Sequence, residues 1–114
     1  MALVKLDINK TTPYADGQVF AETGPYLLLE GTAHFAIDPL SQFNAEVTDI
    51  DLAPRGSDGQ VRFSSRFAML QPAKPDKGNR SVFFDVVNRG GRTAFKTFNS
   101  GDPGPEPAQP LDPG

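Results

Sequence analysis

Apolar and polar residues alternate along most of this chain, and the alternation changes character near its end. Val4, Leu6 and Ile8 interleave with Lys5, Asp7 and Asn9, which predicts a first strand with one wet face. Thr12 to Gly24 is a connection rich in Thr, Gly and Pro, with Val19 and Phe20 tucked inward. Gly24-Pro25 then opens a longer strand, Tyr26 to Ile37. Successive strand side chains point to opposite faces. Leu27, Leu29, Ala33, Phe35 and Ile37 therefore share one face, and Glu30, Thr32 and His34 the other. Gly31, in mid-strand, predicts a bulge or a close backbone approach. Asp38-Pro39 ends the strand, since proline cannot continue a ladder.

Val47 to Leu52 predicts another strand, with Ile50 and Leu52 on one side and Asp49 and Asp51 on the other. The run APRGSDG, Ala53 to Gly59, is a turn signal. Gln60 to Leu70 completes a hairpin, with Val61, Phe63, Phe67 and Met69 on one face and Arg62 and Arg66 opposite. That hairpin sets an acidic face beside a basic one and puts Asp51 near Arg62, a weak surface ion pair rather than a site. Gln71 to Asn79 is a polar loop.

Val82 to Val87 departs from the pattern, because only Asp85 in it is polar. A strand with no wet face is normally covered on both sides, as in a parallel α/β sheet. Asn88 to Gly91 is a glycine turn, and Ala94, Phe95 and Phe98 make one apolar stripe that begins a short helix from Thr93. From Gly101 the prolines at 103, 105, 107, 110 and 113 leave almost no apolar residues. Such a segment is expected to be disordered or extended. The expected fold is mainly β: an antiparallel sheet of about five strands plus one short helix. Residues 1–99 form the β-rich region, and 100–114 the tail.

Composition narrows the functions. The 114 residues, 38% of them hydrophobic, suffice for one modest domain. A net charge of -3 with no basic patch argues against nucleic acid. With no cysteine, there is no disulfide, thiolate metal site or thiol nucleophile. No apolar run approaches the ~20 residues a membrane helix needs, and the N-terminus lacks the apolar region of a secretory signal. The expected compartment is the cytoplasm, with no membrane partner, metal or cofactor.

Candidate chemistry is sparse. A Ser-His-Asp triad would have to use His34, the single histidine, whose face reads as an ordinary solvated strand surface. The nucleophile elbow G-x-S-x-G is absent, and Arg55 to Gly59 lacks its first glycine. Asp49, Asp51 and Asp58 lack calcium-loop spacing, and no phosphate-binding glycine loop occurs. Asn88, Arg89, Gly90 and Gly91 follow a strand and precede a helix start. That geometry exposes backbone N–H groups able to stabilise an oxyanion, or the glycines simply permit a tight turn.

Three stretches in order, GPYLLLEGTAHFAIDP, VTDIDLAPRGSDGQVRFSSRFAMLQPAKPDKGN and SVFFDVVNRGGRTAFKTFN, resemble the N-terminal region of the bacterial alpha/beta hydrolase domain-containing family. The GPY of Gly24 to Tyr26, the DLAPR of Asp51 to Arg55 and the VNRGG of Val87 to Gly91 carry most of the resemblance, which covers Tyr14 to Asn99. It implies a β-rich part preceding a hydrolase sheet, with Val82 to Val87 an early strand of that sheet. Asn88 to Gly91 would then sit at the oxyanion loop. The family's serine, acid and catalytic histidine have no counterpart here, so the resemblance describes a truncated member, expected to be inactive alone. Its implied partner is the missing hydrolase core, or a second copy through the Val82 to Val87 strand. The alternative is a stand-alone β module that binds a protein or ligand through an apolar surface around Phe83, Phe84 and Phe95.

Overall fold

In the computed structural model, the described residues are 2–86 together with Ala94 and Thr97. Four strands form one antiparallel sheet: β1 (Ala2–Pro13), β2 (Val19–Phe20), β3 (Gly24–Ile37) and β4 (Val61–Pro72). β3 lies between β1 and β2, and β4 also pairs with it. β2 joins β3 with Val19 opposite Pro25 and Phe20 opposite Gly24.

By its contacts the chain divides into two compact units. One comprises residues up to Asn9 with Glu30–Phe67, the other Lys10–Leu29 with the described residues from Ala68 on. In the first, Ala33, Ala36, Ile37 and Val61 are buried. The expected inner face of β3 is largely the one observed: Gly31, Ala33 and Ile37 are buried and Phe35 half-buried. Phe35 stacks on Phe63 of β4, their ring centroids 5.0 Å apart. In the second unit Leu29, Tyr14 and Ala15 are buried. The Tyr14 and Phe20 rings stack at 6.1 Å, and Phe20 meets Tyr26 edge-on at 5.6 Å. Phe20 is thus turned partly inward as expected, whereas Val19 is exposed.

Gly31 is the close approach that its mid-strand position predicts. A β-carbon added there would land on the backbone carbonyl of Asp7 in β1 and lie 3.0 Å from the Phe67 ring of β4. Only glycine leaves room for a backbone at that distance.

The expected strand Val47 to Leu52 does not form. Ile37 ends β3 as Asp38-Pro39 predicts, and the chain then runs in 3-10 turns at Gln42–Asn44 and Ile50–Leu52. Their bonds are local: Asn44 N–H donates to Ser41 O, Val47 N–H to Asn44 O and Leu52 N–H to Asp49 O. Asp49 is left-handed, with φ of 57°, which interrupts any extended run. Of the apolar residues in the expected strand, Val47 and Leu52 are exposed and Ile50 is half-buried. The turn at Ala53 to Gly59 is present, closed by the Gly56 N–H to Gln60 O bond of 2.9 Å and an Arg55–Val61 bridge.

The expected strand at Val82 to Val87 is also absent over its described residues, 82–86, which have no regular structure. Arg80 turns left-handed at φ 62°, and the Ser81 N–H bonds back to the Asn79 side chain at 3.0 Å, so the chain leaves β4 and does not return to the sheet within the described residues. The sheet therefore has four strands where about five were expected. Ala94 and Thr97, the two described residues of the helix expected from Thr93, are α-helical; the rest of that segment and the 100–114 tail lie outside the described residues. Among the described residues no helix is long and apolar enough to cross a membrane.

The backbone contact at Gly31 fixes an expected outcome. Gly31→Ala should lower stability by about 1–3 kcal/mol, the usual range for overpacking, read from urea unfolding. An unchanged midpoint would show that β1 does not press on this position.

Candidate functional site

The polar face of the sheet in the first unit brings together side chains from three strands. Asp7 on β1 accepts hydrogen bonds from Lys5 Nζ at 2.8 Å and from His34 Nε2 of β3 at 2.9 Å. The Lys5 ammonium holds the Asp7 carboxyl below its ordinary value, against the opposing effect of desolvation and with a lesser contribution from His34. An ionised carboxylate only accepts, so Nε2 carries the proton in this bond. When the imidazole is neutral, its Nδ1 keeps the lone pair.

The β3–β4 register places Ser64 beside that ring. Gly31 faces Phe67 and Phe35 faces Phe63, so the two strands run four residues in opposite directions between these contacts. His34 and Ser64, one step from the phenylalanine pair, are then directly opposite and on the other face. Ser64 is exposed. An open groove of about 270 Å³ is lined by Val4, His34, Phe35, Arg62, Phe63 and Ser64.

Arg62 does not pair with Asp51. Its guanidinium takes Asp58 of the preceding turn in two bonds, 2.9 and 2.6 Å, because the 3-10 turns place Asp51 outside any hairpin register. This guanidinium, and then the Gln60 N–H, hold the Asp58 carboxyl well below the usual carboxylate range. The Asp51 carbonyl instead accepts from Arg55 at 3.5 Å.

Asn88, Arg89, Gly90 and Gly91, and Phe95, lie outside the described residues. Phe83 and Phe84 are exposed, as are Val82 and Val86. Asp85 accepts from the Ala94 N–H at 3.3 Å. Among the described residues no group of three or more His, Asp or Glu side chains could hold a metal ion. No family model matches the chain, and no curated protein or solved structure matches it either.

Sequence reasoning placed His34 on a wet face but missed its partner. The usable signal was the wet face of β1, where Lys5 and Asp7 also sit. Which strand β1 joins was not written in that alternation, and the two residues are 27 apart.

The direction of the Asp7 shift sets a pH dependence. A carboxyl whose folded pKa is depressed contributes stability in full above its unfolded value of about 3.9, and loses it as pH falls through the lower folded value. Asp7→Asn should therefore be less stable than the parent chain at neutral pH, with the gap closing below about pH 4. Urea midpoints measured across that range check this, and a gap that widens in acid would contradict it.

Proposed function

We propose that this chain is the β-rich N-terminal part of a serine-hydrolase-like protein, with no counterpart of that family's catalytic triad and no turnover by itself. Its work is to brace a hydrolase core, with the Asn88 to Gly91 loop offering N–H groups to an oxyanion. The observation that carries this reading is the exposure of apolar side chains in one segment: Val82 is 91% exposed, Phe84 82% and Val86 79%. Apolar patches of this kind on a folded chain mark surfaces that another body covers. The segment is also the one that resembles an early strand of a hydrolase sheet, and a strand entering such a sheet would bury both faces.

A second reading has an observation of its own. β3 finds partners in β1, β2 and β4 without using residues 82–86, which favours a sheet that stands without a hydrolase core. A stand-alone module that binds a protein or ligand through Phe83, Phe84 and Phe95 would look the same over these residues.

Two measurements separate the readings. Reading the transcript past the Gly114 codon should reveal a G-x-S-x-G followed by an acid and a histidine; unrelated sequence there overturns the hydrolase reading. Replacing Phe84 by Ala should leave the thermal midpoint nearly unchanged, since an exposed surface substitution shifts stability by only about ±0.5 kcal/mol. The same substitution should weaken self-association in sedimentation experiments. If Phe84→Ala instead unfolds the chain, the segment is core and neither docking role stands.

A further inference from the structure

We infer that Ser64 is a nucleophilic hydroxyl served by His34 and positioned through Asp7, a site formed within this sheet and independent of any hydrolase core. Three observations converge on it. The Asp7–His34 bond of 2.9 Å crosses from β1 to β3 and uses Nε2. With Asp7 ionised, that bond leaves Nδ1 as the proton acceptor of the neutral ring. The register of Phe35 against Phe63 sets Ser64 directly across from His34, and both residues line the same groove.

The reach is adequate. Side chains opposite each other in an antiparallel pair have β-carbons about 4.5–5.5 Å apart. Nδ1 is the ring nitrogen nearer its own β-carbon, and Oγ is one bond from the serine's, so a hydrogen bond between them needs only rotamer changes. Such bonds are often loose before a substrate is present. Asp7 does not touch the reacting atoms. It is a positioning residue, which fixes the ring's tautomer and favours the imidazolium that forms.

The step is acyl transfer from an activated ester. Ser64 Oγ attacks the carbonyl carbon while its proton passes to His34 Nδ1. The carbon–oxygen bond to the leaving group then breaks, the leaving alcohol or phenol takes that proton from the ring, and the acyl group remains on Ser64. Only this single transfer is inferred; repeated turnover would further require donors aimed at the oxyanion.

The probe is p-nitrophenyl acetate with the full chain, read by peptide mass. The expected result is acetylation of Ser64 in preference to its neighbour Ser65. His34→Gln should slow it by about 10²-fold or more, the range for losing a general base. Asp7→Asn should slow it too, with Asp7→Glu restoring much of the rate, which a merely structural loss would not do. Ser65→Ala should leave the rate unchanged, and circular dichroism verifies that each variant is folded. No acetyl group on Ser64, or a Ser64 rate unaffected by His34→Gln in a folded variant, overturns the inference.

Discussion

Where β1 crosses Gly31, one backbone meets another with no side chain between them, and the first unit is organised around that contact. A β-carbon at this point would occupy the Asp7 carbonyl, and the Phe67 ring closes over the same position from β4. Glycine weakens a strand interior because it contributes no packing surface and has more freedom to lose. Here the neighbouring ring supplies the missing surface. Holding β1 this close to β3 also brings the Asp7 carboxylate to the His34 ring at 2.9 Å. One missing side chain thus decides both the seating of β1 and the geometry of the polar face.

The buried apolar set is thin. Its large members are Ile37 and Val61 in the first unit and Tyr14 and Leu29 in the second, with Ala33 and Ala36 beside the former and Ala15 beside the latter. Meanwhile Leu40 stands exposed in the turn after β3, Phe43 and Leu52 on the 3-10 turns, and Leu3, Val4, Leu6 and Ile8 on β1. Local polar bonds hold the turn region instead of packing. The Asp38 side chain accepts from the Leu40 N–H and its carbonyl from Asn44, and Ser41 accepts from the Phe43 N–H. Asn44 is buried, so its bond to the Asp38 carbonyl at 2.8 Å satisfies a group that would otherwise be costly to bury.

Two features with different chemistry therefore share one chain. The polar row of Asp7, His34 and Ser64 is drawn from β1, β3 and β4. The segment at 82–86 depends on the Asn79–Arg80 turn that releases the chain from β4. A substitution in one should leave the other intact, because they share no residue.

The faces of β3, its end at Asp38-Pro39, the turn at Ala53 to Gly59 and the tight spot at Gly31 were all legible in the sequence. Each is a local matter: side-chain period, proline's missing N–H, glycine's missing β-carbon. Val47 to Leu52 and Val82 to Val86 were not legible, since alternation or apolarity alone cannot say whether a neighbouring strand is available to pair. The Asp7–His34 bond and the position of Ser64 were hidden for the same reason. Strand pairing and register join residues far apart in the chain, and they follow from which backbones can approach each other, a choice that only the folded sheet makes.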